Sequence, residues 1–198
     1  MLKMKSLRES LLDDDLVGKT DEMIRDEIRA FLKANYNGVI GISQKPNADG
    51  KYEVTSVTYI EVKNRNITSL TNGMFIWTSI NGCFYCSGCK SLKSLEGAPK
   101  EISKVFDCSH CNSLKSLEGA PRKVGGTFYC SNCQSLKSLK GAPEKVGGTF
   151  DCSYCQSLNS LEGAPKEVGR NFSCDKCKVK FTEDDVKKIS NVKGEIIN

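Results

Sequence analysis

A 22-residue pattern that recurs from Phe84 to Cys177 limits the folds that this chain can adopt. Its clearest copy runs from Phe128 to Thr149 and begins Phe-Tyr-Cys-Ser-Asn-Cys. A phenylalanine opens every copy, and a Cys-x-x-Cys motif begins two residues after it; the phenylalanines are Phe84, Phe106, Phe128, Phe150 and Phe172. One copy is too short to bury its own apolar face, so the copies must stack about 4.8 Å apart and bury one another.

The apolar residues of one copy mark the course of the chain around one turn of a coil, which we term a rung. The alternation Phe-x-Cys is typical of a short strand, and Leu-x-x-Leu follows it after a turn. Gly-Ala-Pro indicates a bend, and Val-Gly-Gly returns the chain to the next rung. The pattern predicts a solenoid over residues 58–181, with one short strand in each 22-residue rung.

The repeat also resembles the leucine-rich repeat, L-x-x-L-x-L-x-x-N/C-x-L. Phe128 and Cys130 stand at two strand leucine positions, Cys133 at the Asn/Cys position, and Leu136 at the next leucine, one residue late. The whole unit, FxCSxCxSLxSLxGAPxxV, is similar to repeats in proteins encoded by bacteriophages and gut bacteria. The resemblance implies an α/β, leucine-rich-repeat-like solenoid that acts as a protein-interaction module. It also implies a place in the cytoplasm of a bacterial host cell, with association with a virion as an alternative.

The first copy of the repeat is degenerate, as expected of a terminal rung. Ile60 stands in place of the phenylalanine and Val62 in place of the first cysteine, while Ile67 and Leu70 replace the two leucines. The step from Ile60 to Phe84 is 24 residues instead of 22.

An N-terminal cap is expected over residues 20–57, preceded by residues 1–19 as a tail or a short docking peptide. Thr20 is a suitable N-cap residue, and apolar residues at helical spacing predict a helix from about 21 to 36, closed by Asn37-Gly38.

A β-hairpin should follow that helix. Residues 39–42 are a short apolar run, residues 46–50 carry turn chemistry, and residues 52–54 alternate. A further strand is expected at 57–63.

A C-terminal cap is expected over residues 182–198. The segment Thr182–Asp185 has the composition of a capping box, so a short helix should begin there. Residues 193–198 predict a final edge strand. Four residues near this end are expected to point inward: Val179, Phe181, Val186 and Ile189.

The paired cysteines leave two interpretations open. Cys89 and Cys108 are separated by 18 residues, a spacing that fits a four-cysteine zinc site. The alternative function is therefore a zinc-binding array with nucleic acid as a possible ligand, held by Cys86, Cys89, Cys108, Cys111, Cys130, Cys133, Cys152, Cys155, Cys174 and Cys177. Two observations favour a cysteine core without a cofactor: the Phe, Leu, Pro and Val positions keep the same period, and Val62 cannot ligate a metal.

Composition narrows the remaining classes of function. The net charge of +5 comes from 29 basic and 24 acidic residues spread along the chain, which disfavours nucleic acid as a partner. No apolar run approaches the roughly 20 residues that cross a bilayer. Eleven cysteines without a secretory signal indicate a reducing compartment. The single histidine, His110, has no catalytic companion pattern, so we expect no enzyme.

Variation between the copies predicts where a protein partner would bind. One variable position follows each phenylalanine, another precedes each second cysteine, and the serines between them barely change. The simpler alternative is an ordinary solvated surface. The predicted binding residues are Tyr85, Asp107, His110, Tyr129, Asn132, Asp151, Tyr154 and Lys176.

Overall fold

The computed structural model describes residues 18–38, 41–56 and 58–198, and in them the repeats form a β-solenoid of about seven turns with a spacing of about 22 residues. Helix α1 spans Asp21–Asn35. As predicted, the Thr20 side chain caps it, accepting a hydrogen bond from the Met23 N–H at 3.3 Å. Most of the expected tail, residues 1–17, lies outside the described residues.

Helix α1 ends at Asn35, one residue before the predicted end, and Tyr36 is its C-cap. The chain passes directly into strand β1, Tyr36–Gly38, so Asn37-Gly38 lie in a strand and do not close the helix as predicted. Tyr36 is already extended, at φ −129° and ψ 151°. This conformation buries its ring, and its hydroxyl donates to the Leu70 carbonyl at 2.7 Å. Burial of the aromatic ring therefore outweighs the turn preference of the next two residues.

The predicted hairpin is present, formed by β2 (Gly41–Ile42) and β3 (Tyr52–Thr55), which pair antiparallel. Its residues Val39 and Ile40 lie outside the described residues, as does Val57. The next strands are β4, Tyr59–Val62, and β5, Phe75–Trp77. Strand β5 joins β2 and β3 in a small three-stranded sheet.

Each regular rung contributes the predicted strand at its phenylalanine and a second strand, not predicted, at its valine position. In chain order the strands are β6 (Cys83–Tyr85), β7 (Glu101–Ile102), β8 (Phe106–Asp107), β9 (Lys123–Val124), β10 (Phe128–Tyr129), β11 (Lys145–Val146), β12 (Phe150–Asp151), β13 (Glu167–Val168) and β14 (Phe172–Ser173).

The C-terminal segment closes the coil with helix α2 (Glu183–Lys187) and strands β15 (Asn191–Val192) and β16 (Ile196–Ile197). The Thr182–Asp185 capping box is present as predicted, and Phe181 and Val186 are buried. Val179 and Ile189, expected to point inward, are instead 38% and 40% exposed. A helix of five residues ends before it can turn Ile189 inward, and Ser190 takes the buried place next to it.

The strands form two long parallel sheets on different sides of the coil. The sheet at the phenylalanines, here the Phe sheet, has the order β1-β4-β6-β8-β10-β12-β14-β16, and only β1 is antiparallel to its neighbour. The second sheet has the order β15-β13-β11-β9-β7. Close approach of the rungs explains the glycines after each valine, because a Cβ on Gly147 would lie 2.1 Å from the Gly125 carbonyl oxygen.

Between the sheets, equivalent side chains of successive rungs stack in columns. The ring centroids of Phe84, Phe106, Phe128 and Phe150 follow one another at 5.5, 5.2 and 5.5 Å, with the planes within 13° of parallel. At the N-terminal end, Trp77 packs edge-on against Phe84 at 5.8 Å. The stack fixes the rungs in register, and so it fixes the positions of the side chains that point outward from the Phe sheet.

Candidate interaction face

The outward side chains of the Phe sheet form a column in which tyrosine and acidic residues alternate. Strand register places equivalent residues of successive rungs beside one another. We name this set the tyrosine–aspartate column: Glu61, Tyr85, Asp107, Tyr129, Asp151 and Ser173. Because strand residues alternate between faces, burial of each phenylalanine directs the next residue outward. Tyr129 is 37% exposed, and Tyr85, Asp107 and Asp151 are half-buried.

The aspartates of the column are oriented by hydrogen bonds from the chain, and no cation among the described residues pairs with them. Asp107 Oδ1 accepts a hydrogen bond from the Ser109 N–H at 2.8 Å. Asp151 Oδ1 accepts from both the N–H and the hydroxyl of Ser153, at 2.9 and 2.6 Å. Within the described part of the chain, neither carboxylate belongs to an ion pair. The hydrogen bonds from Ser109 and Ser153 all reach Oδ1, so each carboxylate is oriented through one of its two oxygens.

A second outward column lies beside the first, at the turn after each strand. We name it the turn column: Gly88, His110, Asn132, Tyr154 and Lys176. All five residues have positive φ, between 53° and 71°. This conformation directs each N–H along the coil; for example, the Asn132 N–H donates to the Ser153 carbonyl at 3.0 Å.

The positive φ changes the interpretation of the turn column. Glycine and asparagine adopt this region readily, whereas an ordinary side chain costs roughly 1–2 kcal/mol there. Variation at Gly88 and Asn132 is thus compatible with a purely structural requirement. Tyr154 and Lys176 are not residues that this backbone favours, so local stability does not account for them.

Tyr154 and Lys176 contact each other across adjacent rungs. Lys176 Nζ lies 2.6 Å from the Tyr154 hydroxyl and 4.7 Å from the centre of its ring. The hydrogen bond to that hydroxyl raises the pKa of the Lys176 ammonium. Tyr154 nevertheless remains 40% exposed. The eight predicted binding residues lie in these two adjacent columns, and this pair is in direct contact.

The repeat cysteines form a buried cysteine ladder of two columns inside the coil. The thiol of the second cysteine in a rung donates to the carbonyl of the first cysteine in the rung before. Donor–acceptor distances are 3.1 Å for Cys111 to Cys86, 3.2 Å for Cys133 to Cys108, 3.3 Å for Cys155 to Cys130 and 3.2 Å for Cys177 to Cys152. The Cys86 carbonyl also accepts the Cys89 N–H at 3.4 Å, whereas for the Cys108, Cys130 and Cys152 carbonyls the thiol is the one donor found among the described residues. A valine or leucine in place of these thiols would leave those three carbonyls without a donor.

Burial and neighbouring thiols keep most of the ladder protonated. Burial raises the pKa of the Cys86 thiol to about 11 and that of Cys155 to about 12. Cys177, at the last rung, differs because a hydrogen bond from the Cys152 thiol lowers its pKa. Among the residues described, no group of three His, Cys, Asp or Glu side chains has an arrangement that could hold a metal ion.

Three residues on or beside this face were not identified from the sequence. Tyr59 is 46% exposed and pairs in register with Cys83, while Ile197 is exposed on the last strand of the same sheet. Cys83 is half-buried. A side-chain hydrogen bond between Cys83 and Tyr85 raises the pKa of Tyr85 to about 12. The signal for Tyr59 was its place one residue before Ile60, the position that Cys83 holds before Phe84.

Comparison with known proteins gave no match, whether to family models, to curated sequences or to solved structures. The helices within the described ranges are too short and too polar for any of them to cross a membrane.

Proposed function

We propose that this chain is a non-enzymatic scaffold that binds a protein partner through the tyrosine–aspartate and turn columns of the Phe sheet. The observation that carries the proposal is the exposure of Tyr129 and Tyr154 in two neighbouring columns, over phenylalanines and cysteines that are the same in five copies of the repeat. Tyrosine supplies a large amphipathic contact area with few rotatable bonds, which suits it to binding surfaces.

The backbone of Tyr154 supports the same proposal. A tyrosine at φ 58° costs stability that asparagine, present at the equivalent Asn132, would not. Strain of this kind is typical of positions where a side chain serves a purpose other than folding.

The resemblance of the repeat to leucine-rich repeats supports an interaction module, since those solenoids bind partners along a sheet. On the same resemblance, we propose a protein encoded by a bacteriophage or a gut bacterium that acts in the cytoplasm of the bacterial host or with the virion.

The cysteines favour a structural role over the alternatives. Nucleophilic chemistry requires a thiolate, whereas the pKa of the buried Cys86 thiol is raised to about 11. Four of the thiols in the second column donate to carbonyl oxygens, an arrangement that serves packing and needs no zinc.

A peptide-display selection tests the proposal because it requires no known partner. Peptides selected on the whole chain are measured against a variant carrying Tyr85→Ser, Tyr129→Ser and Tyr154→Asn. These replacements copy Ser173 and Asn132, the residues that the chain itself uses at equivalent positions, so folding should be preserved.

The matched control changes three residues on another side of the coil, Lys93→Asn, Lys115→Asn and Lys137→Asn, which copy Asn159. We expect the selected peptides to lose at least about tenfold in affinity for the tyrosine variant, since tyrosines are common hot spots of interfaces. Affinity for the lysine variant should stay within about twofold, as at positions outside a hot spot. Equal binding to the tyrosine variant and the unchanged chain would overturn the proposal.

A further inference from the structure

The spacing within the tyrosine–aspartate column restricts the conformation of a ligand that could follow it. Hydrogen-bonded strands lie about 4.8 Å apart, so acidic residues in every second rung recur at about 9.6 Å. The acids in register are Glu61, Asp107 and Asp151, and Tyr85 and Tyr129 lie between them.

A polyproline II helix matches this period. It has three residues per turn and rises about 3.1 Å per residue, so every third side chain lies on one face at a repeat of about 9.3 Å. Three such side chains span about 19 Å. The distance from Glu61 to Asp151, over four steps between rungs, is also about 19 Å.

Other regular conformations fit less well. Side chains on one face of an extended strand recur at about 6.7 Å, which matches neither one rung nor two. An α-helix brings residues seven apart to the same face at about 10.5 Å, so its third contact would be displaced by about 2 Å.

The charges of the column indicate a basic ligand. Asp107 and Asp151 have no ion-pair partner among the described residues, although the whole chain carries a net charge of +5. Among the described residues, the cations bonded to side chains of the two columns lie towards their ends, where Arg65 pairs with Glu61 at 3.0 Å and the Lys176 ammonium donates a hydrogen bond to the Tyr154 hydroxyl. The centre of the face is therefore acidic and aromatic.

We propose that the partner presents a proline-rich segment in the polyproline II conformation with a basic residue at every third position. The basic side chains pair with Asp107, Asp151 and the free side of Glu61, and the prolines pack on Tyr85 and Tyr129. Aromatic residues that alternate with acids are suited to this ligand, because prolines pack on aromatic surfaces and the ligand is already ordered before it binds. This inference rests on the proposed function, for which it names the class of partner.

Fluorescence anisotropy with synthetic peptides tests the inference on the whole chain. The probe is a labelled peptide of three Pro-Pro-Arg triplets. The comparison peptides are three Gly-Gly-Arg triplets, three Pro-Pro-Glu triplets, a proline peptide with arginine at every second position, and an α-helical peptide with three arginines at seven-residue spacing.

The Pro-Pro-Arg peptide should bind at least about tenfold more tightly than each comparison peptide, because only this peptide combines charge, order and period. The double variant Asp107→Asn/Asp151→Asn should lose at least about tenfold of that affinity, since charge-assisted hydrogen bonds are lost. Asparagine keeps the acceptor for the Ser109 and Ser153 N–H groups. The matched control, Glu96→Gln/Glu162→Gln, removes the same charge elsewhere and should bind within about twofold of the unchanged chain.

The inference is overturned if the Pro-Pro-Arg peptide is matched in affinity by the Gly-Gly-Arg peptide, by the α-helical peptide, or by the proline peptide with arginine at every second position. It is also overturned if the aspartate variant and its control lose affinity equally. If the display-selected peptides still depend on the tyrosines while Pro-Pro-Arg does not bind, the scaffold function stands and only this class of partner is excluded.

Discussion

The Sγ atom of Cys133 lies 3.2 Å from the carbonyl oxygen of Cys108, one rung away, and supplies a donor to a buried acceptor. In the first column, the Cys108 and Cys152 thiols donate to the Tyr129 and Ser173 carbonyls, which already accept a backbone N–H. The equally buried Cys130 thiol has no hydrogen bond to any described residue. Cys133 and Cys130 therefore contribute differently to the ladder, although the sequence pattern gives them the same residue type.

This difference predicts unequal costs for the same substitution. Cys133→Ala should reduce the free energy of unfolding by about 1–3 kcal/mol more than Cys130→Ala, because only the former leaves a buried carbonyl without its donor. Urea denaturation of the two variants measures the difference. Equal losses would mean that the thiol bonds contribute nothing beyond packing.

Alkylation of the native protein should be selective. Cys83 and Cys177 are half-buried, and the pKa of Cys177 is lowered by the Cys152 thiol, whereas the remaining cysteines are buried. Iodoacetamide at pH 8 should therefore modify Cys83 and Cys177 first, and the others only after denaturation. Peptide mass spectrometry identifies the sites. Early modification of Cys130 would contradict the buried ladder.

Stability should fall in alkali. Burial raises the pKa of the Cys86 thiol from 9.0 to about 11, and that of Cys174 to about 12. Below pH 9 both folded and unfolded states hold these protons; above it the unfolded state loses them first, so unfolding is favoured as pH rises. Each thiol should remove up to about 1.4 kcal/mol per pH unit between pH 9 and its folded-state pKa. Urea midpoints from pH 8 to 11 measure the slope, and a flat profile would refute it.

Two glycines with the same backbone conformation allow the cost of backbone strain to be distinguished from the cost of a steric clash. Gly141 and Gly73 have φ of 87° and 86°, but a Cβ on Gly141 would lie 2.5 Å from the Glu118 nitrogen, while nothing lies within 4 Å of one on Gly73. Gly73→Ala should cost about 1–2 kcal/mol, the price of the left-handed region alone. Gly141→Ala should cost more, because the rungs must also separate. Thermal denaturation of the two variants compares their stabilities. Similar melting temperatures would show that a Cβ on Gly141 does not clash with the neighbouring rung.

Tyr154→Asn should stabilise the chain by about 1 kcal/mol while weakening its binding. Asparagine tolerates the φ of 58° that Tyr154 adopts, and the exposed contact with Lys176 contributes little. Tyr129→Asn, at an extended position, serves as the control and should bring no gain. A loss of stability in Tyr154→Asn would show that the turn column is not strained.

The sequence was most informative where one rung copies another. The period of Phe128 and its equivalents predicts the Phe sheet, and the capping residues Thr20 and Thr182 predict both helix starts. These features follow from local capping preferences or from the repeat period, and both can be recognised in the amino-acid sequence.

Prediction failed where contacts outside the repeat decide the conformation. Asn37-Gly38 has turn composition but pairs with β4, because Tyr36 must remain extended to reach the aromatic cluster around Trp77. Ile189 has helical spacing from Val186, but α2 ends at Lys187. The left-handed backbone at His110 was also missed, although Gly88 and Asn132 at the equivalent positions of other rungs were a signal for it.

The predicted face could be placed because outward residues alternate with buried ones, and Tyr129 and Tyr154 are indeed exposed. The role of each residue could not be separated in the same way. Residue choice in the turn column depends both on the backbone conformation and on any contact that the side chain makes with a partner. The sequence does not show that Tyr154 and Lys176 have a positive φ, which favours glycine or asparagine, and the structure does.

Phe128 stacks on the rings of Phe106 and Phe150, one rung before it and one rung after it. Contacts of this kind join neighbouring rungs, as is general for repeat arrays. Insertion or deletion of one 22-residue unit would change the reach of the molecule by a fixed increment of about 4.8 Å and leave the remaining turns intact. The number of rungs therefore sets the length of the Phe sheet along the axis of the coil.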